Sequence, residues 1–341
     1  MSIMPSEFGP VNNMPYGIND LDPIVATTGN RRVRCFVRGC RQSLRIPARG
    51  QTGEVCPEHG IRCHASSSAT VTYTYADAQR NIIAAPRLFK ERIVGHPYKY
   101  ESNRFGYEKS EDAVTWNVFR SIQEAGCLAL IGEFLTGQAS QIEPQLYLWG
   151  IDLTDDSFEP WTLLQNARER FESNLPVKRP KTEPDIALHV PGRYLVLIEA
   201  KFTSPNTTYE RGPRRDKQSL TLAELLEIYD DESLIIINRR DAHAANRVHY
   251  QLWRNTVFAE WMAQLDHPRT KAFHVNLVRE GYEQESGKEF QRLIAAGYED
   301  RFHQVTWESL YRATQGEGRL TLMHRYLKTK TAGLARAFQL G

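Results

Sequence analysis

The chain has 341 residues, 41% of them hydrophobic and 25% charged, with a formal net charge of +2. This is the composition of an ordinary soluble protein with room for two or three units. It excludes a histone-like polycation, no apolar run approaches a membrane span, and there is no internal repeat or long low-complexity tract, so any role on nucleic acid must rest on local patches.

Residues 1–30, with Pro5, Gly9, Pro10, Pro15, Gly17 and Pro23, read as an irregular lead-in. The opening MSIMPSEFGPVNNM lacks the basic start and apolar core of a signal peptide, so a reducing, cytoplasmic compartment is expected. Residues 31–68 then hold Cys35, Cys40, Cys56, His59 and Cys63, arranged as CFVRGC, fifteen residues, and CPEHGIRCH. Two ligand pairs separated by a loop suit tetrahedral zinc, because each short knuckle supplies two ligands. The expected set is Cys35, Cys40, Cys56 and His59, with Cys63 or His64 as a substitute for one of them. Disulfides are the rival reading and would need an oxidising compartment. The same segment carries Arg31, Arg32, Arg34, Arg38, Arg41, Arg45 and Arg49 before its first acid, Glu54. Arginine forks match phosphate oxygens, so this zinc-ribbon-like module is expected to contact nucleic acid.

Residues 69–107 read as a connector, with strand-like Thr70 to Tyr75 and Ile82 to Leu88. Ser110 to about Ala125 predicts a helix. Glu111 lies in phase with Val114, Val118 and Ile122, so it starts the stripe that faces the core. Taken alone, Glu111 reads as a helix N-terminal acid favoured by the macrodipole, with Ser110 as N-cap; beside Asp185, Glu199 and Lys201 it reads as a catalytic acid. A strand is expected at Leu128 to Phe134, and a helix near Trp161 to Phe171.

The segment Glu183 to Lys201, EPDIALHVPGRYLVLIEAK, predicts a buried hairpin. Side chains alternate along a strand, so Glu199 and Lys201 share a face with Leu195 and Leu197. Pro191-Gly192 is a turn signal. With the turn over Pro191 to Arg193, Val190 pairs with Tyr194 and Asp185 falls opposite Glu199. Residues paired across strands have Cα atoms about 4.5–5.5 Å apart, close enough for two carboxylates to share one ion. Mg²⁺ suits such a site, since it takes oxygen ligands and is held by one or two carboxylates plus substrate phosphate. Lys201 could orient or deprotonate an attacking water and stabilise charge on a phosphate. The bland alternative is a buried acid–lysine pair that serves packing alone.

Beyond the hairpin, Ser219 to Tyr229 reads as helix, Leu234 to Ile237 is too short to assign, and Asn246 to Leu265 reads as a long helix. On it Gln251, Asn255, Phe258 and Met262 form one stripe. Its Gln and Asn either reach the site or cap neighbouring backbone. A strand at Phe273 to Val278, a helix near Glu285 to Ala295, and a strand at Phe302 to Thr306 leading into a helix follow. The basic runs Lys178-Arg179-Pro180-Lys181 and Arg211 to Lys217 flank the hairpin as candidate backbone contacts.

Pro184-Asp185, thirteen residues, then Glu199-Ala200-Lys201 resembles the signature of the PD-(D/E)XK nuclease superfamily, over roughly residues 105 to 313. Glu111 on a preceding helix and Gln251 on a following one are similar to its usual companions. The resemblance implies an α/β domain over 108–341, a restriction-endonuclease-like mixed β-sheet flanked by helices, beside the N-terminal zinc-binding module. It implies a phosphodiester hydrolase using Mg²⁺ or Mn²⁺, in which Asp185, Glu199 and the Ala200 carbonyl bind the metal, Lys201 positions water, and Glu111 and Gln251 assist. DNA rather than RNA follows by analogy, as does a role in restriction or defence against foreign DNA. The competing reading is a zinc-ribbon nucleic-acid-binding or partner-recruiting protein whose nuclease-like domain is not catalytic. The sequence leaves open a homodimer or a partner protein docked on the zinc module.

Overall fold

The computed structural model describes residues 32–48, 51–65, 71–96, 105–175, 181–212 and 220–330. The lead-in, Arg31, Arg49, Lys178-Arg179-Pro180 and residues 213–217 of the second basic run lie outside them. The described residues form two compact units.

The first unit takes residues up to Val94, 105–117 and those from Thr321. It opens with two short antiparallel ribbons, β1 (Arg32–Arg34) with β2 (Ser43–Arg45), and β3 (Ile61–Ala65) with β4 (Val71–Tyr75). On the first ribbon Val33 and Leu44 are buried while Arg32, Arg34 and Arg45 are exposed. Arg38 and Arg41 are exposed as well, so the described part of the arginine block faces solvent. α1 (Pro86–Arg92) follows where a strand over Ile82 to Leu88 was expected. Pro86 stands at the helix start, where the missing N–H costs nothing and the fixed φ favours the turn. α2 (Glu111–Glu124) begins in this unit and ends in the other.

The second unit comprises Gly95, His96 and the described residues from Val118 to Leu320. α3 (Leu128–Thr136) comes first, and it corrects the strand expected over Leu128 to Phe134. Leu128, Ile131, Gly132 and Leu135 are buried at helical spacing. The Glu143 carboxylate accepts the N–H groups of Leu128 and Ala129 at 2.8 and 3.3 Å, satisfying donors that a helix leaves open at its start. Gly137, at φ +67°, closes the other end.

β5 (Gln145–Leu148), β6 (Ile151–Asp152), α4 (Thr162–Glu172), β7 (Ile186–Val190), β8 (Tyr194–Ala200) and β9 (Thr208–Glu210) follow, then α5 (Leu222–Ile228), α6 (Arg239–Ala244) and β10 (Arg247–His249). The predicted long helix starts only after β10, as α7 (Tyr250–Asp266). β11 (Lys271–Val278), α8 (Gln284–Gln291), β12 (Phe302–Thr306) and α9 (Trp307–Ala313) complete the unit.

A six-stranded mixed sheet runs in the order β12, β11, β8, β7, β5, β6. β11 is parallel to β8 and β12, and the other pairs are antiparallel. This is the expected α/β fold of a mixed sheet flanked by helices. Ala187, Leu195 and Leu197 face a core built with α4, α5 and α7. The opposite face carries Tyr194, Val196 and Ile198, also fully buried. On that side α3 has Gly132, where an added Cβ would lie 2.1 Å from the Tyr194 hydroxyl oxygen. Burial of both faces explains why β7 and β8 read as nearly continuous apolar runs.

α10 (Thr321–Thr329) belongs to the first unit. Just beyond it Lys330 is buried, and its Nζ donates to Asn81 Oδ1 at 2.7 Å and to the Glu108 carbonyl at 3.3 Å. Burial brings this ammonium down to about 7, with the charge of Glu108 opposing the shift. An unfolded lysine titrates near about 10.4, so between about pH 7 and 10 the unfolded chain holds a proton that the folded chain lacks. The contribution of Lys330 to the stability of this unit therefore rises with pH across that window. In a melting series from pH 7 to 10, the slope of Tm against pH is expected to be more positive in wild type than in Lys330→Met. An equal slope in both proteins would refute the assignment.

Candidate active site

The β7–β8 hairpin turns over Pro191 to Arg193, with Gly192 at φ +71° and the Arg193 N–H donating to the Val190 carbonyl at 3.0 Å. Val190 pairs with Tyr194 and Ile186 with Ile198. One step further in that register sets Asp185 opposite Glu199. The Ala200 N–H donates to Asp185 Oδ2 at 2.8 Å, which ties this carboxylate to the end of β8. Glu199 and Lys201 are 2% and 5% exposed, and Lys201 Nζ donates to Glu199 Oε1 at 2.6 Å. The lysine backbone is held on both sides. Its N–H donates to the Leu277 carbonyl at 2.7 Å, and the Trp307 indole donates to its carbonyl at 3.1 Å.

α7 brings two amides to the same carboxylate. Gln251 Nε2 donates to Glu199 Oε1, and Asn255 Nδ2 donates to Oε2 at 2.8 Å. Residues four apart share a helix face, so the predicted stripe delivers both. The Thr207 N–H donates to Gln251 Oε1 at 3.2 Å, which decides which end of that amide faces Glu199. Behind them Arg254 lies over the Tyr250 ring, 4.9 Å from its centroid. Burial pushes its guanidinium down, but Tyr250, Tyr229, Glu199 and Glu172 more than offset this and keep it charged.

The polar row continues across the sheet. Asn276 on β11 pairs with Glu199, and Gln304 on β12 pairs with Asn276. Asn276 Nδ2 donates to Gln304 Oε1 at 3.0 Å, and its Oδ1 accepts from Asn206 Nδ2 at 3.2 Å. Sequence reading did not single out Asn276 or Arg254 and saw Asn255 only as a member of a stripe. The available signal was a buried polar residue inside the apolar strand AFHVNLV.

Glu111 opens α2 behind Ser110, whose Oγ accepts the Ala113 N–H at 3.1 Å. It falls in the first unit, whereas Asp185, Glu199, Lys201 and Gln251 fall in the second.

A protein-family model described as "Restriction Endonuclease associating with ARP" matches residues 110–330, well over half of the chain. The chain belongs to this family. The match spans the hairpin and α7, and it supports a restriction-endonuclease-like domain here. No curated protein and no solved structure matches the chain.

The zinc candidates lie outside the family match. Cys35, Cys40, Cys56 and His59 gather with their ligand atoms all within 4.8 Å of one another. Cys40 Sγ lies 3.9 Å from Cys56 Sγ, and His59 Nδ1 lies 3.8 Å from Cys35 Sγ and 3.5 Å from Cys56 Sγ. A zinc tetrahedron with the usual bond lengths has edges of about 3.5–3.8 Å, so the donor set fits. A disulfide needs sulfurs at about 2.05 Å, and all five cysteines are free. The proposed substitute, Cys63, is not part of the cluster. It is buried on β3 opposite Tyr73, where burial pushes its thiol up to about 11. The alternative His64 lies on β3, and its side chain is outside the described atoms. Among the described residues no helix is long and apolar enough to cross a membrane.

Proposed function

We propose that this protein is an Mg²⁺-dependent endodeoxyribonuclease acting in restriction or defence against foreign DNA. The observation that carries the reading is Glu199 at the hairpin end, with Asp185 opposite it, Lys201 Nζ at 2.6 Å and the Asn255 amide at 2.8 Å. The donors available to a metal are the two carboxylates and the Ala200 carbonyl. An all-oxygen set free of thiol and imidazole suits Mg²⁺ or Mn²⁺. Bound there, the cation supplies positive charge against the phosphate oxygens.

The chain's own residues do the rest. Gln251 and Asn255 hold the Glu199 carboxylate in one orientation, so the site is organised before substrate arrives. Lys201, anchored through its backbone, carries the proton-handling amine beside Glu199 and absorbs charge that develops on the phosphate. The resemblance alone assigns Glu111 a supporting role. The zinc module with its exposed arginines is proposed as the DNA contact outside the site. The family description associates its members with ARP, and a partner of that kind is proposed for this chain, alongside self-association into a homodimer.

Supercoiled plasmid incubated with purified protein and Mg²⁺ is expected to be nicked or linearised, with cleavage lost in Glu199→Ala and in the absence of divalent metal. Intact plasmid, single-stranded DNA and RNA in every lane would instead favour a binding protein with a non-catalytic domain.

A further inference from the structure

The chain leaves the sheet after Lys201 and returns to the site at Thr207, whose N–H bonds the Gln251 side chain. The Tyr250 N–H donates to the Thr207 carbonyl at 2.9 Å, so both polar backbone groups of Thr207 meet the first two residues of α7. What holds this segment comes from α8. Asn206, 5% exposed, donates its N–H to Glu283 Oε2 at 3.1 Å, and its Nδ2 lies 3.3 Å from the same oxygen. That Nδ2 is also 3.2 Å from both Ser286 Oγ and Asn276 Oδ1. Ser286 Oγ in turn donates to the Glu283 carbonyl at 2.7 Å, and the Tyr282 hydroxyl donates to the Thr203 carbonyl at 3.1 Å. The Asn206 side chain thus joins α8 to Asn276, the β11 residue that pairs with Glu199.

Two locally unfavourable residues bring α8 to this place. Glu283 stands at its N-cap with φ +56°, in the left-handed region that residues with a side chain rarely adopt. Its carboxylate makes no capping bond and instead accepts both Asn206 donors. Gly287 lies inside α8, where glycine weakens a helix, and an added Cβ there would run into the Gln304 amide that accepts from Asn276. A helix that only covered the sheet could carry an ordinary cap and an alanine at these two positions. Strained backbone persists where its surroundings over-determine it, and such positions gather at functional sites. We propose that Glu283 and Asn206 are positioning residues for the site: they fix Thr207 so that its N–H holds Gln251 Oε1, which turns Nε2 onto Glu199. The proposal rests on the nuclease reading for the reaction that is served, though not for the hold on Gln251.

The test reads the Gln251 amide directly and cleavage beside it. In proton–nitrogen correlation spectra of the full chain without divalent metal, the Gln251 side-chain amide pair is assigned by its loss in Gln251→Leu. In wild type it is expected downfield of solvated glutamines, because one N–H faces a carboxylate. Glu283→Ala is expected to move the pair to the solvated position, and Asn206→Ala, which removes the hold from the loop side, to do the same. Glu283→Gln, whose amide oxygen can still accept from Asn206, is expected to keep it. With plasmid and Mg²⁺, Glu283→Ala is expected to lower the single-turnover rate about tenfold, the lower end of what an outer partner of a metal ligand costs. Half-saturation for DNA stays as in wild type, and Glu283→Gln restores the rate. Phe290→Leu alters a buried ring of the same helix that packs on Phe302, and is expected to lower Tm while leaving both the amide pair and the rate unchanged. An unmoved pair in Glu283→Ala and Asn206→Ala, a moved pair with an unchanged rate, or equal losses in Phe290→Leu would overturn the positioning role. A protein whose pair moves as expected yet never cuts plasmid keeps the hold on Gln251 and loses the nuclease reading; one that cuts with an unmoved pair does the reverse.

Discussion

Lys201→Met is expected to lower the cleavage rate by about a thousandfold while leaving Mn²⁺ affinity within a few-fold of wild type. The amine supplies no oxygen ligand, so its loss does not subtract from the metal's donor set. It stands 2.6 Å from Glu199 Oε1, and on the proposed reading it would serve proton transfer and developing charge, contributions of about 10²–10⁴ in rate. Glu199 keeps two amide donors from α7 after the change, so the carboxylate remains oriented. Breaking a buried ion pair carries a stability cost of its own, on the order of 3–5 kcal/mol. Calorimetric metal titration alongside single-turnover cleavage separates the two effects. Equal rates would remove Lys201 from the chemistry, and parallel loss of metal affinity and rate would mean that the lysine merely holds the carboxylates in place. Lys201→Arg, which keeps the charge in a wider fork, is expected to fall between wild type and Lys201→Met.

The hairpin was legible because two local signals agree. Alternation fixes which side chains share a face, the Pro191-Gly192 turn fixes which residues pair, and together they set Asp185 against Glu199. α3 was not legible on the same terms. An apolar run such as LALI looks alike as buried strand or buried helix, and what decides it here is a carboxylate from Glu143, well beyond the helix end. Asn255 shows the intermediate case. Its spacing from Gln251 placed both on one face of α7, yet which carboxylate that face meets depends on how the helix lies against β8. Asn276 becomes informative only through its pairing with Glu199. The placement of α10 with the first unit is a long-range outcome with no local signature. Lys330 Nζ, which donates to the Asn81 side chain and to the Glu108 carbonyl, is one of the contacts that binds that end of the chain.

Cys56→Ser is expected to abolish zinc binding and to unfold the first unit, whereas Cys127→Ser and Cys63→Ser retain the metal. The reasoning starts from how little the local elements supply. β1 and β2 are three residues each, and isolated ribbons of that length are marginal in water. Structural zinc contributes on the order of 10–16 kcal/mol in comparable small modules, far more than a few buried side chains such as Phe36 and Ile61. Cys56 is central to the cluster, since its sulfur lies 3.9 Å from Cys40 Sγ and 3.5 Å from His59 Nδ1. Its backbone also closes the second knuckle, with its N–H on the Ile61 carbonyl at 2.7 Å and its carbonyl accepting from Gly60 at 2.9 Å. Serine preserves those backbone bonds, so the substitution isolates the thiolate. Elemental analysis is expected to give one zinc per wild-type chain and none in the variant, with the first unit's melting transition lost. Zinc retained in Cys56→Ser and released in Cys63→Ser would reassign the ligands, and a wild-type chain without zinc would return the four side chains to a purely packing role.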